Sequence, residues 1–363
     1  MITPKKISLN GYEYTPQTIA NFTKTATNEK EKCFFQEVVD FLHDWFADAP
    51  TITVQTSGST GTPKPLRVEK THMKNSAKMT CSYFNITSST QMLLCMPVCY
   101  IAGKMMLVRA LVSGCSLWVV TPSGRPFEHC AQMVDFVALV PMQVYNSLQH
   151  EIDRERLASV SQVLIGGGAI DNGLAAELDN FRNNFYSSYG MTETVSHIAL
   201  RIVNGSQKSD WYTPLPEVFL SLSPYNTLCI DAPLVCSTQL QTNDIVEMKP
   251  DGRFKIVGRL DNVINSGGVK LQIEEMEQKI AHLISAPYAI TYRTDARLGQ
   301  AVVLLVATRQ VADIPSMETL SVNLLPYELP QNTYMIEELP LTETKKVKRK
   351  ACHEIAEKLS QQN

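Results

Sequence analysis

The 363-residue chain carries 33 Lys+Arg against 36 Asp+Glu, a formal charge of −3, with 44% hydrophobic and 19% charged residues. This composition excludes a disordered or fibrous protein, and the length allows a buried core in more than one domain. The nearly balanced charge gives no general attraction to nucleic acid or acidic membranes.

Apolar residues recur at helical spacing over 31–49 (Phe34, Phe35, Val38, Val39, Phe41, Leu42, Trp45, Phe46), which predicts an amphipathic helix. TITVQ at 51–55 reads as a strand, the stretch TSGSTGTPK follows at 56–64, and a helix is expected over 71–84. Strands are expected at 92–98, 116–120, 136–140 and 162–165, with helices at 101–112, 142–150 and 172–184 between them. That alternation predicts an α/β architecture with a largely parallel sheet.

Past residue 210, prolines and short alternating runs at 218–222, 227–230 and 234–238 suggest antiparallel, β-rich structure. Asp251-Gly252 marks a turn before a strand at 254–257. Beyond lie a helix at 273–283, strands at 289–292 and 301–307, and a basic tail. A domain boundary is placed near Asp261, giving domains 1–260 and 261–363, with no internal repeat.

Nine cysteines without a CxxC pair fit free thiols better than disulfides. The closest pair, Cys95 and Cys99, reads as small buried hydrophobes rather than metal ligands. Residues 1–16 hold two lysines but no apolar targeting core, and no run of about 18 apolar residues occurs, so a cytoplasmic protein without membrane insertion is expected.

A strand followed by Gly, Ser and Thr residues with a lysine can surround an anion with backbone N–H groups and hydroxyls. The P-loop pattern GxxxxGK[ST] fails here, because Pro63 and Pro65 stand where it needs glycine and a hydroxyl residue. A phosphate cradle of another kind and a plain solvated loop both fit the composition. Downstream, Tyr189-Gly190-Met191-Thr192-Glu193-Thr194 joins an aromatic ring, a hydroxyl and a carboxylate, parts that suit a nucleotide with a magnesium ion.

Thr56, Ser57, Gly58, Ser59, Thr60, Gly61, Thr62, Pro63 and Lys64 together resemble the phosphate loop of the acyl-adenylate-forming, or AMP-binding, enzymes. Further matches follow in that family's order. The resemblance implies that Tyr189 packs on adenine, Thr192 touches phosphate and Glu193 binds Mg2+, with Gly190 in the same loop. Gly166-Gly167-Gly168-Ala169 matches the turn beside adenine and the acid; Gly167 and Gly168 are its site residues. Thr242-Asn243-Asp244 and Gly258-Arg259-Leu260-Asp261 supply Asp244 for the ribose, Arg259 for sugar or phosphate, and Asp261 as hinge; Asn243 replaces the usual glycine.

Gly267 and Gly268, in Asn265 to Lys270 leading to Glu275-Met276-Glu277, resemble the loop lining the pantetheine channel, with Ile273 where proline is usual. The stretch 339–349 resembles the segment carrying the catalytic lysine, in register at Lys346, with Lys345 replacing glycine and Lys345 or Lys348 as alternatives. The implied fold is α/β, with a large N-terminal domain of mixed α/β sheets plus a β-rich subdomain, and a small mobile α+β C-terminal domain. The implied chemistry joins a carboxylic acid to the α-phosphate of ATP, releases pyrophosphate, rotates the small domain about Asp261, and lets coenzyme A take the acyl group.

Only 55 residues precede Thr56, a contraction resembling the short bacterial o-succinylbenzoate–CoA ligases of menaquinone biosynthesis. Pro97 through Lys104, Val140-Pro141-Met142-Gln143 and Ser196-His197-Ile198-Ala199 match that group, with Tyr100 where many have histidine. The acid pocket is expected to use Tyr100, Ile101, Ala102, Gly103 and Gly168 around an aromatic ring. Lys104, His197 or Arg201 is expected beside a second carboxylate. A ligase for another aryl or short-chain acid, or an adenylating domain that does not use coenzyme A, are the alternatives. A homo-oligomer stays open.

Overall fold

The computed structural model describes residues 6–55, 65–342 and 346–361. The loop residues Thr56 to Lys64 and the alternative lysine Lys345 lie outside the described residues. The first part of the chain holds β1 (Ile7–Leu9), β2 (Tyr12–Tyr14), α1 (Glu29–Phe46), β3 (Thr51–Gln55), β4 (Pro65–Glu69), α2 (Lys70–Tyr83), β5 (Gln91–Leu94), α3 (Ile101–Ser113) and β6 (Ser116–Val119). Then come β7 (Phe136–Leu139), α4 (Pro141–Leu148), α5 (Glu151–Ser159), β8 (Gln162–Ile165), α6 (Asn172–Leu178), β9 (Asn184–Gly190), β10 (His197–Ile202) and β11 (Thr213–Pro214).

Nine of these strands form one sheet in the order β11-β10-β9-β8-β7-β5-β6-β1-β2. From β9 through β1 neighbouring strands are parallel, and the two ends are closed by antiparallel pairs. Successive residues of β5 show why the sheet needs cover on both faces. Met92 and Leu94 join the apolar cluster that includes Phe35, Met73 and Val108, from α1, α2 and α3. Leu93 and Cys95 join the opposite cluster with Val144, Leu157 and Leu174, from α4, α5 and α6. Strands buried on both faces read as continuous apolar runs, which is the pattern of β5, β7 and β8.

The β-rich part is an antiparallel sheet of β12 (Phe219–Leu222), β13 (Thr227–Asp231), β14 (Leu240–Met248) and β15 (Phe254–Arg259) in that order. The smaller unit has β16 (Val263–Ser266), β17 (Val269–Gln272), α7 (Ile273–Ile280), β18 (Tyr288–Asp295), β19 (Gly299–Ala307), α8 (Met317–Asn323), β20 (Asn332–Ile336) and α9 (Arg349–Ser360). Its own core gathers Ile264, Met276, Ile290 and Leu304.

Several expected elements change. Residues 234–238 form a turn, because the amides of Val235 and Cys236 both donate to Ala232 O after Pro233; the strand lies later, at β14. The helix expected over 142–150 is α4, which ends at Leu148; a separate helix, α5, follows from Glu151 and was not expected, because its residues are mostly polar. The helix expected over 172–184 ends at Leu178, leaving residue 184 to open β9. The β1–β2 hairpin has no counterpart among the expected elements. All nine cysteines are free thiols, yet Cys99 is exposed, unlike the buried Cys95. Among the described residues no helix is long and apolar enough to cross a membrane.

Candidate active site

In an open parallel sheet, ligands bind beyond the carboxyl ends of the strands, near the point where the strand order reverses. Here the chain passes from β5 to β6 on one side and then to β7 on the other, so the reversal lies at β5. The segments leaving β5, β7, β8 and β9 at that edge are the 95–101 loop, Val140-Pro141, Gly166-Gly167-Gly168 and Gly190 to Ser196. The structure therefore brings together four of the segments selected from sequence. Gln55, at the base of the glycine-rich loop, forms a bridge with Tyr100, which precedes α3. Gly167 and Gly168 face Val140 and Pro141.

The loop after β9 is tightly constrained. A Cβ on Gly190 would lie 2.3 Å from Ser196 O and 2.6 Å from His197 Cα, so only glycine permits this approach. The Thr194 hydroxyl accepts from Met191 N at 3.0 Å and sits 3.0 and 2.8 Å from Met191 O and Ser196 O. Val195 is held at φ 67°, a left-handed conformation that strains a β-branched residue. Between these fixed points stand Thr192 and Glu193. Glu193 is exposed, and among the described residues neither side chain has a hydrogen bond or ion pair.

Asp244 on β14 is held from two sides. The Tyr189 hydroxyl donates to its Oδ2 at 2.6 Å, and Arg259 Nη1 donates to its Oδ1 at 2.9 Å. Burial, followed by the adjacent Asp244 charge, raises the Tyr189 pKa, so the phenol stays a donor. The Tyr189 ring is only 8% exposed and meets Phe254 edge-on at 5.1 Å. Arg259 also reaches Asp261, with Nε and Nη2 at 2.9 and 3.0 Å from its carboxylate oxygens. Asp261 lies in the 3-10 turn Leu260–Asn262, between the last strand of the β-rich sheet and the first strand of the small unit.

Lys346 joins this group from the small unit. Its side chain keeps solvent contact, yet surrounding protein lowers its pKa, the Arg259 charge lowers it further, and Asp244 opposes both. Lys348 instead immediately precedes α9. Gly267 and Gly268, at φ 59° and 84°, form the tip of the β16–β17 hairpin, a turn that needs positive φ at both positions. A Cβ on Gly267 would meet the Leu298 side chain at 3.3 Å, and one on Gly268 would meet nothing within 4 Å.

The three cations proposed for a second carboxylate are not brought together. Lys104 Nζ donates to Val98 O at 2.5 Å and lies 5.6 Å from the Phe41 ring centre, facing α1. The Arg201 guanidinium sits 5.5 Å from the Tyr212 ring centre and donates to Ser209 O at 3.2 Å. His197 is buried, with Nε2 3.2 Å from Thr80 Oγ1. Burial, reinforced by Arg109, pulls its pKa down to about 3, so it is neutral at physiological pH.

Arg109 is the residue that sequence reasoning missed. It lies inside α3, 2% exposed, in the apolar run MMLVRALV. Nη2 donates to Ser196 Oγ at 2.8 Å and Nη1 lies 3.3 Å from Met106 Sδ. Among the described residues its Nε has no partner, and none of their carboxylates pairs with it. Burial lowers its pKa to about 10, which leaves it charged at neutral pH. The available signal was one arginine in a helix that is otherwise apolar on most faces.

Among the described residues, no group of three or more His, Cys, Asp and Glu side chains could hold a metal alone. A magnesium ion held by one carboxylate and the phosphates of its nucleotide needs no such cage, and the unpaired Glu193 fits that requirement.

The AMP-binding enzyme family model matches residues 19–218. An AMP-forming acyl-CoA synthetase-like protein from Dyadobacter fermentans is 32% identical, with 93% of this chain and 97% of that chain covered at a TM-score of 0.63. The o-succinylbenzoate CoA synthetase of Bacillus subtilis, in complex with the acyl-adenylate intermediate, shares the fold at a TM-score of 0.75 and 17% identity, over 97% and 96% of the two chains. A 2-succinylbenzoate–CoA ligase of Bacillus cereus is 23% identical over 94% of this chain and 76% of its own length. The Escherichia coli enzyme of that name is 28% identical over 62% of this chain, and the match spans about half (51%) of its length. With more than half of its residues matched by the family model and its strand-end loops carrying the family's motifs, the chain belongs to the AMP-binding enzymes.

Proposed function

We propose that this AMP-forming acid–CoA ligase acts on o-succinylbenzoate, using ATP with Mg2+ and then coenzyme A. A carboxylate resists attack by a thiol because oxide is a poor leaving group, and transfer to the α-phosphate of ATP supplies AMP as a better one. The residues divide this work by position. Asp244, held by Tyr189 and Arg259, offers its oxygens to the ribose hydroxyls. Lys346 brings positive charge to the phosphate and carboxylate oxygens that meet in the transition state. Thr192 and Glu193 are assigned to the phosphates, and a magnesium ion held by Glu193 would neutralise phosphate charge. Gly267 and Gly268 are assigned to the coenzyme A channel after the small unit turns about Asp261.

The observation that carries the choice of acid is Arg109. A buried guanidinium without a carboxylate is costly, and a two-pronged partner would offset that cost. Its contact with Ser196 sets it against the loop bearing Thr192 and Glu193. An acid with a second carboxylate supplies such a partner once Ser196 gives way. The curated relatives named 2-succinylbenzoate–CoA ligase support the same choice.

The test compares Michaelis constants. Arg109→Lys keeps the charge and loses the fork, so KM for o-succinylbenzoate is expected to rise about tenfold or more while KM for ATP changes by less than about twofold. Equal changes for both substrates, or an effect only in Arg201→Ala, would remove Arg109 from the acid site.

A further inference from the structure

Lys346 lies on a short segment, 346–348, that pairs back onto residues 340–342, and backbone pairing alone does not fix a side chain. Thr342 N donates to Lys346 O at 2.7 Å, Lys346 N donates to Thr342 Oγ1 at 3.0 Å, and Lys348 N donates to Pro340 O at 2.8 Å. Leu341 and Val347 form a bridge in the same pairing. Leu339 and Val347 rest on an apolar cluster of Ala289, Val303, Leu305 and Cys352. Apolar packing attaches this segment to the small unit but gives it little direction, since that attraction is non-directional.

Direction comes from the next residue but one after Val347. Arg349 opens α9 and meets Glu277 of α7 through two parallel bonds, Nη1 to Oε1 at 2.5 Å and Nη2 to Oε2 at 2.6 Å. Arg349 Nη1 also donates to Ile290 O at 3.3 Å, while Ile290 N donates to Glu277 Oε1 at 2.8 Å. One carboxylate thus ties α7, β18 and α9 together, and the pair is only 19% and 25% exposed at Glu277 and Arg349. A two-pronged arginine–carboxylate pair fixes orientation as well as distance. From the fixed Arg349, three residues lead back to Lys346, whose charge is coupled to Asp244 and Arg259 across the two units.

We propose that Glu277 is a positioning residue for Lys346: by gripping Arg349 it orients the segment 346–349 that delivers the lysine to the nucleotide site. This rests on the reading of Lys346 as the lysine of the adenylation step. Glu277 touches no reacting atom. It belongs to the Glu275-Met276-Glu277 stretch that resembled part of the coenzyme A channel, and the geometry points to the other half-reaction instead. Met276 is core, and Glu275 is exposed.

The experiment separates the two half-reactions in the full chain. Acid-dependent ATP–pyrophosphate exchange with o-succinylbenzoate reads adenylation, and release of thioester from supplied o-succinylbenzoyl-adenylate and coenzyme A reads the second step. Glu277→Gln is expected to slow exchange by about tenfold to a hundredfold, the range in which small misplacement of a catalytic group is felt. Thioester formation from the supplied adenylate should stay within about twofold of wild type. In a Lys346→Ala background, Glu277→Gln should add nothing further to the loss of exchange, because both changes remove the same contribution. Arg349→Lys, which keeps the charge but not the fork, gives the same split at smaller amplitude and serves if Glu277→Gln does not fold.

Equal loss in both half-reactions, full additivity with Lys346→Ala, or loss confined to the thioester step would each overturn the positioning role. If wild type and Lys346→Ala exchange equally, or wild type exchanges with no acid, the functional reading fails instead.

Discussion

Asp244 accepts a phenol and a guanidinium on its two oxygens, so the carboxylate proposed to bind the ribose is already oriented. Replacing Tyr189 by Phe removes a charge-assisted bond worth about 1.5–3 kcal/mol, and KM for ATP is expected to rise about tenfold, with KM for the acid nearly unchanged. Lys346 carries a pH signature. Its lowered pKa places the alkaline limb of kcat/KM, which reports the free enzyme, below the ordinary lysine value of about 10.4. Bound phosphates favour the ammonium form, so the limb of kcat should lie at higher pH. Lys346→Arg should abolish both limbs; if they persist unchanged, another group is titrating. His197 shapes stability instead. In the fold it stays neutral down to about pH 3, whereas an unfolded histidine takes up a proton near pH 6.5. The unfolded chain binds more protons in that window, so this contribution is present above about pH 6.5 and fades as pH falls toward 3. Between pH 7 and pH 5 the loss amounts to about 2 kcal/mol. Chemical denaturation of His197→Gln should show a shallower acid slope; an unchanged slope would place the titration elsewhere.

At the scale of elements, the loop from Gly190 to Ser196 shows how local strain and active-site geometry meet. Gly190→Ala would drive a methyl into Ser196 O and the His197 backbone, which cannot retreat as a flexible side chain can. The cost is expected to be about 1–3 kcal/mol in unfolding, with a larger fall in adenylation than in stability as Thr192 and Glu193 move. Thermal melts and pyrophosphate exchange check this together; unchanged exchange would show that the loop tolerates the shift. Elements with a clean period were legible. TITVQ alternates buried and exposed positions, and Gln162–Ile165 is a bounded apolar run, so both strands fall where the pattern puts them. Helix α5 was not, because a helix of charged residues docked by little more than Leu157 carries no apolar stripe. The first hairpin does carry a signal, Asn10-Gly11 between two short β-prone triplets. The motifs marked which segments meet, but not how their side chains pair. Tyr189 and Asp244 are 55 positions apart, and nothing in either segment says that the phenol bonds the carboxylate. Arg109 was hidden for the same reason: its lack of a partner exists only once the fold has closed around it.

Across the whole molecule, one arginine spans the two units. Arg259 bonds Asp244 of the nucleotide site and Asp261 of the connecting turn, while Gln272 of the small unit donates to its carbonyl at 3.1 Å. Under the proposed function, this arrangement keeps Lys346 beside the site for adenylation, and its opening would precede the approach of Gly267 and Gly268. Asp261→Asn weakens a half-exposed ion pair worth up to about 1 kcal/mol, so adenylation should fall by at most about fivefold, with thioester formation from supplied adenylate spared or faster. The chain activates an acid with ATP and passes it to coenzyme A. The most direct measurement follows AMP and acyl-CoA together, with ATP, Mg2+ and coenzyme A, across a panel of aryl and short-chain acids that includes o-succinylbenzoate. Equimolar AMP and thioester are expected, with o-succinylbenzoate giving the highest kcat/KM. Turnover of a different acid with none of o-succinylbenzoate would contradict the substrate, and AMP without thioester from every acid would contradict the ligase.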